Sequence, residues 1–184
     1  MVLRLAASTC NVLFVCRSNG ARSLMAEALI NARFDGSFAA CSAGLAPRSG
    51  TLPLVAATLQ SHGLPASGLR TKGVWEFNRP EAPIFDLVIT TGDDAELDAS
   101  PTLPGRPVYA GWRIPDPEAG PDDPKHRRER LEASFQLIRR CIDLFASLPM
   151  EMLERLAIEE SNGLDLDETT ISMLSETLRP GASI

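Results

Sequence analysis

The stretch that most constrains this chain runs from Val12 to Ser23 and reads VLFVCRSNGARS. It opens with a near-continuous apolar run, which is typical of a strand buried on both faces of a parallel sheet. A short loop follows, beginning at Cys16 and ending at Arg22, and the residues from Ser23 onward favour a helix. The stretch therefore predicts a strand, a tight loop and a helix start, with a cysteine and an arginine at the two ends of the loop.

The Cys-x5-Arg spacing suits the binding of a tetrahedral oxyanion. A loop closed between a strand end and a helix N-terminus points its backbone N–H groups inward, and the guanidinium of Arg22 can bind two oxygens of the anion. The helix dipole, the amides and Arg22 all favour the thiolate of Cys16, which is then a nucleophile aimed at the central atom of the anion. We predict Cys16 and Arg22 as catalytic residues. The predicted oxyanion-binding residues are Arg17, Ser18, Asn19, Gly20, Ala21, Arg22 and Ser23. A buried structural cysteine beside a surface arginine is the alternative interpretation.

Length, charge and cysteine usage exclude several classes of protein. A chain of 184 residues can form one domain with a substantial core. There is no basic surplus to favour nucleic acid, no apolar run long enough to span a bilayer, and no signal-peptide pattern. The four cysteines lack the spacing of a disulfide framework or a zinc site, so no bound metal is expected. We expect a cytoplasmic protein with reduced thiols.

Strand-like and helix-like segments alternate, which predicts a doubly wound α/β fold. The predicted strands are 11–15, 37–42, 85–91 and 106–109. The predicted helices are 23–34, 52–61, 93–98 and 125–148, and 68–83 is predicted as a loop with one helical turn.

The chain divides into a main domain, residues 1–148, and a C-terminal extension, residues 149–184. Pro149 interrupts the long helix. From Met150 onward the chain carries eight acidic residues and two arginines, so the extension holds the whole net charge of −6. Two helices are predicted in it, 150–159 and 168–178, the second capped by Asp167. The extension either packs onto the main domain or makes a dimer or partner contact.

A cysteine that accepts a phosphoryl group must expel an alkoxide or phenoxide, which needs a proton from a nearby acid. Asp116 is the candidate, because it lies between two prolines after the fourth predicted strand, where a parallel sheet directs it to the same crevice. Its rivals are Asp86, Asp93 and Asp94. Ser23 can donate a hydrogen bond to the thiolate, or it is an ordinary serine of a first helical turn.

These motifs resemble the low-molecular-weight protein tyrosine phosphatases and the arsenate reductases that share their fold. The likeness is carried by the loop, by Ser42-Ala43-Gly44, by Val88-Ile89-Thr90 and by Ile114-Pro115-Asp116-Pro117, and it covers roughly residues 11–148. The resemblance implies a four-stranded parallel sheet flanked by helices, with the helical extension added after it. It also implies Cys16 as nucleophile, Arg22 as oxyanion clamp and Asp116 as general acid. In the same way it implies that Asn19 shapes the loop and that the Ser23 hydroxyl stabilises the thiolate.

The segment around the predicted acid is similar to the arsenate reductase branch. Many of the phosphatases follow Asp-Pro with an aromatic residue, whereas Glu118 follows here. The chain lacks a cysteine between Cys41 and Cys141, where thioredoxin-coupled reductases carry a resolving pair. Cys10 should lie about 17–20 Å from the loop cysteine, and Cys141 falls on the long helix. Only Cys41 is left as a weak candidate for a resolving thiol.

The leading hypothesis is therefore an arsenate reductase that binds no cofactor and relies on an external thiol, such as glutathione or mycothiol with a glutaredoxin-type partner. A phosphatase acting on phosphotyrosine or an aryl phosphate through a phosphocysteine is the alternative. A non-catalytic module that senses oxyanions is a third interpretation, which the presence of Cys16, Arg22 and Asp116 together argues against.

Overall fold

The computed structural model of the chain describes residues 9–34, 36–92, 103–121 and 123–147. In chain order, β1 spans Cys10–Cys16, α1 Arg22–Arg33, β2 Phe38–Gly44 and α2 Leu52–Ser61. A 3-10 turn, Val74–Phe77, precedes β3 (Leu87–Thr90), β4 (Val108–Gly111) and α3 (Pro124–Ala146). The helix expected over 93–98, the domain boundary at 148/149 and the extension with its two predicted helices lie outside the described residues.

The four strands form one parallel sheet, as the resemblance implies, and their order is β2-β1-β3-β4. In the register of the sheet, Cys16 pairs with Gly44, Val15 with Thr90, and Thr90 with Gly111. The carboxyl ends of all four strands therefore meet at one edge, where parallel α/β sheets place their functional sites.

The central strand β1 organises the core, because alternate side chains of a strand point to opposite faces of the sheet. On one face Val12 and Phe14 pack with the buried sides of α1, α2 and α3. On the other face Leu13 and Val15 form a smaller cluster with residues of β2, β3 and the loops beside them. All four of these side chains are fully buried, and each contributes about 1.5–3 kcal/mol to folding. The strand that leads into the loop is thus held rigidly on both faces.

The fourth strand differs from its predicted bounds, 106–109, and spans Val108–Gly111. Pro107 has no backbone N–H to donate to a ladder, so pairing begins after it, with the Val108 N–H donating to the carbonyl of Asp86 at 2.9 Å. The third strand is likewise shorter than predicted, since only Leu87–Thr90 pairs with both neighbours.

In the part of the chain that the structure describes, no helix is long and apolar enough to cross a membrane.

Candidate active site

The loop between β1 and α1 is held from outside through its carbonyls. The carbonyls of Cys16, Arg17 and Ser18 accept hydrogen bonds from the N–H groups of Leu45, Ala46 and Arg48, at 3.1, 2.7 and 2.8 Å. At the other end of the loop, α1 begins without a side-chain cap, since Ala21 carries no polar side-chain group. The amides at this helix start can therefore surround an anion, as the sequence predicts for residues 17–23.

Asn19 gives the loop its curvature. It adopts the left-handed backbone conformation, with φ of 46°, which asparagine tolerates better than most residues. Its side-chain amide donates to Ser23 Oγ at 2.8 Å and to Ser42 Oγ at 2.9 Å, and its Oδ1 accepts from the N–H of Lys72 at 2.7 Å. Every donor and acceptor bond of this fully buried side chain thus ties the loop to the body of the protein.

Gly44 allows the end of β2 to approach the loop closely. A Cβ atom on this residue would lie 2.8 Å from the backbone nitrogen of Asn19 and 2.9 Å from the carbonyl carbon of Ser18. Real Cβ contacts of that length with backbone do not occur, so a larger residue here would push the loop out of position.

Cys16 lies at the base of the loop with 1% of its surface exposed. Its sulfur is 3.1 Å from the hydroxyl oxygen of Ser23, in the first turn of α1. The predicted serine-to-thiol contact is therefore present in the structure. A hydroxyl that donates to the sulfur stabilises the thiolate, together with the N-terminal end of the helix.

Arg22 is the first residue of α1 and is almost fully buried, with 3% of its surface exposed. Its Nη1 donates to the carbonyl of Ile114 at 3.1 Å, and its Nη2 lies 3.9 Å from Oδ2 of Asp116. The structure thus brings the arginine of the loop and the predicted acid to the same edge of the sheet. Of the other candidate acids, Asp86 accepts from the N–H of Asn11 near the opposite edge, and Asp93 and Asp94 lie outside the described residues.

The segment that carries Asp116 is anchored by α3. Arg130 donates from Nε to the carbonyl of Pro117 at 3.0 Å and from Nη2 to that of Pro121 at 3.1 Å, and Ser134 Oγ donates to the carbonyl of Pro115 at 3.3 Å. Within the segment, Oδ1 of Asp116 accepts from the N–H of Glu118 at 3.0 Å. Arg130 and Ser134, which position this segment, are not among the residues predicted from the sequence. Their four-residue spacing on one face of the long helix is the only sequence signal for them.

A second missed feature is a buried ion pair behind the loop. Lys72 Nζ lies 2.9 and 3.2 Å from the two carboxylate oxygens of Glu27, and both side chains are largely buried. Ser42 donates a hydrogen bond to the same carboxylate while it accepts one from Asn19. The ion pair therefore belongs to a polar network that reaches Cys16 through Ser42, Asn19 and Ser23.

All four cysteines are free thiols, and none of the other three approaches Cys16. Gly44 is the register partner of Cys16, and Cys41 comes three residues before it on β2, opposite Leu13. Cys41 therefore lies about 10 Å along the strand from the position beside Cys16. It packs in the cluster on the other face of the sheet, with Leu13 and Val15. Cys10 lies at the far end of β1, and Cys141 is buried on α3. Cys41 is therefore not placed to resolve an adduct on Cys16.

A buried thiol, an arginine and a carboxylic acid meet at an amide-lined loop on a parallel α/β sheet, which is the arrangement of cysteine-dependent enzymes of oxyanion chemistry. The family model described as low molecular weight phosphotyrosine protein phosphatase matches residues 11–152. The chain belongs to this family, as its motifs predicted, and it is an enzyme of the arsenate reductase or tyrosine phosphatase kind.

Solved structures agree with this assignment. An arsenate reductase from Archaeoglobus fulgidus DSM 4304 is 34% identical, with a TM-score of 0.52, over 72% of this chain and 98% of that chain. A low molecular weight protein tyrosine phosphatase from T. tengcongensis is 24% identical, with a TM-score of 0.53, over 73% and 99% of the two chains. The Erwinia amylovora tyrosine phosphatase amsI is 17% identical, with a TM-score of 0.52, over 90% and 100%. The last two show the shared fold only.

Proposed function

We propose that this protein is an arsenate reductase that uses Cys16 as nucleophile and an external thiol as reductant. The observation that carries the proposal is the 34% identity to the arsenate reductase of Archaeoglobus fulgidus, which this chain matches over 98% of that chain's length. The geometry of the loop supports it, because the site has a buried thiol and an anion cradle that suit an inorganic oxyanion.

In the first step, arsenate binds in the loop, with the amides and Arg22 on its oxygens. The thiolate of Cys16 attacks arsenic, so a sulfur–arsenic bond forms and one arsenic–oxygen bond breaks. The departing oxygen leaves as water after it takes a proton. Arsenic remains in the +5 state, so nothing has yet been reduced.

In the second step, the thiolate of an external thiol attacks the sulfur of Cys16. A sulfur–sulfur bond forms, the sulfur–arsenic bond breaks, and its electron pair goes to arsenic, which leaves as arsenite in the +3 state. A second thiol then attacks the mixed disulfide and regenerates Cys16. An external thiol is required because no other cysteine of the chain lies within disulfide distance of Cys16. Glutathione or mycothiol, with a glutaredoxin-type protein as partner, fits this chemistry.

The test is a paired assay on one purified preparation, with Cys16→Ser as the control. One half follows arsenite formation from arsenate with glutathione and glutaredoxin, and then with mycothiol and its redoxin. The other half follows hydrolysis of 4-nitrophenyl phosphate. Arsenite formation that needs Cys16 supports the proposal and names the thiol. Ester hydrolysis with no arsenite in either reducing system contradicts it.

The second candidate is a phosphatase that acts on phosphotyrosine or an aryl phosphate through a phosphocysteine. The position of Asp116 favours it, because a carboxylic acid close to Arg22 can protonate an ester oxygen as it leaves. Both reactions begin with attack by Cys16 on a bound oxyanion. They differ in what departs from the central atom and in whether a thiol is consumed.

A further inference from the structure

The carboxylate of Glu118 connects three segments at the outer side of the loop. Glu118 belongs to the segment of Asp116, and its Oε2 accepts a hydrogen bond from Ser18 Oγ in the loop at 3.0 Å. Its Oε1 accepts from the hydroxyl of Thr51, the residue that precedes α2. The two hydroxyls thus hold one charged group between the loop and the start of α2.

The hydroxyl of Thr51 is directed to Glu118 and not to the first turn of its own helix. A threonine at a helix N-cap usually accepts a hydrogen bond from an N–H of the first turn, which stabilises the helix. Here the side chain of Thr51 makes no such cap and instead donates to Glu118, although the residue is only 3% exposed. The buried hydroxyl of Thr51 therefore has Glu118 as its hydrogen-bond partner.

Glu118 lies directly against the oxyanion-binding loop. A Cβ atom added to Gly20 would lie 3.2 and 3.3 Å from the two carboxylate oxygens of Glu118. The N–H of Glu118 donates to Asp116, whose carboxylate lies 3.9 Å from Arg22. Any group carried by an ester oxygen that reaches Asp116 therefore comes up against the side chain of Glu118.

We propose that Glu118 is a specificity-determining residue. Its side chain closes one side of the mouth of the site, the opening of the Cys16–Arg22 loop beside Asp116, and excludes oxyanions that carry a bulky aryl group. An inorganic oxyanion is held by the loop amides and Arg22 alone and needs no space beyond them. An aryl ester must displace the carboxylate from Ser18 and Thr51, which breaks two hydrogen bonds to a charged acceptor. The inference rests on the proposed function, since it names inorganic oxyanions as the substrate class of that site.

The test compares three variants, Glu118→Ala, Glu118→Gln and Thr51→Val, with a matched control. Glu118→Ala removes the carboxylate, and Thr51→Val removes one of the two hydroxyls. Glu81→Ala removes an exposed glutamate elsewhere in the described part of the chain. Each variant is assayed for kcat/KM on 4-nitrophenyl phosphate. The Kd of inorganic phosphate is measured by calorimetry in the Cys16→Ser background, and folding is checked by thermal unfolding.

We expect Glu118→Ala to raise kcat/KM on the aryl ester about tenfold and Thr51→Val to raise it about threefold, with the Kd of phosphate within about threefold. Glu81→Ala should change neither value. Glu118→Gln keeps the size of the side chain and one of its acceptors. Its kcat/KM on the aryl ester should therefore stay within about threefold of that of the original protein. If kcat/KM of Glu118→Gln rises as far as that of Glu118→Ala, the charge of Glu118 alone excludes the ester. The proposed role of its hydrogen bonds to Ser18 and Thr51 would then be wrong.

The inference is overturned if Glu118→Ala leaves hydrolysis of the aryl ester unchanged or undetectable. It is also overturned if phosphate binding weakens in parallel, because Glu118 would then shape the loop rather than the mouth. A failure of the proposed function shows elsewhere, as the absence of arsenite in the paired assay of the original protein. The comparison of aryl ester turnover with phosphate binding does not depend on that result.

Discussion

Oδ2 of Asp116 lies 3.9 Å from Nη2 of Arg22, although the two residues come from opposite halves of the chain. This separation is longer than that of a charge-assisted hydrogen bond, so the pair is not closed into a bidentate contact. Arg22 is buried and its position is set by the carbonyl of Ile114, while the side chain of Asp116 is 42% exposed. If Asp116 is the acid that we predict, an oxygen of an oxyanion bound at the loop must contact both of these groups.

Cys16→Ser should lower turnover by about 10³-fold or more on either substrate, because a serine hydroxyl is a far weaker nucleophile than a thiolate. Phosphate should still bind within about threefold of the original Kd, since the loop amides and Arg22 remain. Steady-state rates and calorimetry give the two values. Turnover that survives the substitution would remove Cys16 from the mechanism.

Arg22→Lys should lower kcat/KM by about 10²–10³-fold, because an ammonium cannot bind two oxygens of the transition state in the geometry of a guanidinium. It also loses the hydrogen bond to the Ile114 carbonyl. The exposed Arg17, the first residue of the loop after Cys16, offers the matched control. We expect a smaller effect from Arg17→Lys in the same assay, and equal losses would argue against a special role for Arg22.

Asp116→Asn should slow hydrolysis of an aryl phosphate by about 10²–10⁴-fold, because the leaving phenoxide loses its proton donor. Formation of the arsenate adduct should depend less on this residue, since the departing oxygen can take its proton from water. Single-turnover rates for the two substrates measure the difference. An unchanged rate of ester hydrolysis would mean that Asp116 is not the acid.

Lys72→Met should destabilise the fold by about 3–5 kcal/mol, because it leaves the carboxylate of Glu27 buried without its cation. Replacing both residues, as Glu27→Gln with Lys72→Met, should recover part of that loss. Lys125 pairs with Glu129 on the surface and offers the control. Lys125→Met should change the free energy of unfolding by less than about 1 kcal/mol.

Urea denaturation of the three variants gives these free energies. If Lys72→Met lowers the free energy of unfolding no more than Lys125→Met, the buried ion pair does not stabilise the fold.

Cys41 and Cys141 should resist alkylation at pH values where ordinary thiols react. Burial raises the pKa of Cys141 to about 11, against a lowering by Arg140. Burial and the carboxylate of Glu27 raise the pKa of Cys41, against a lowering by Lys72. A raised pKa means less thiolate at a given pH, so at pH 9 only about 1% of Cys141 should be ionised, against about three quarters of an ordinary thiol with a pKa of about 8.5.

Mass spectrometry after iodoacetamide treatment at pH 7, 9 and 11 measures these reactivities. Labelling of Cys141 should become appreciable only towards pH 11. If Cys141 is labelled at pH 9 as fast as a denatured control, burial does not protect it.

Much of the candidate site could be predicted from the sequence, because most of its residues lie within one short segment of the chain. The strand, the loop from Cys16 to Arg22 and the start of α1 form one continuous segment, so spacing alone orders the thiol, the amides and the guanidinium. Asp116 was readable because it follows a strand of a parallel sheet, and such strands end at a common edge. Its roles, like those of Cys16 and Arg22, remain predictions that the variants above test.

The sequence alone thus determined the fold class, the family and the residues of the loop, since these depend on patterns within short stretches of chain. Only the tertiary structure showed the pair of Lys72 with Glu27, the anchoring of Pro117 by Arg130, and the bridge that Glu118 makes between Ser18 and Thr51. These contacts join residues far apart in the chain. Which distant polar groups meet is decided by how the sheet and helices pack, and no local pattern records it.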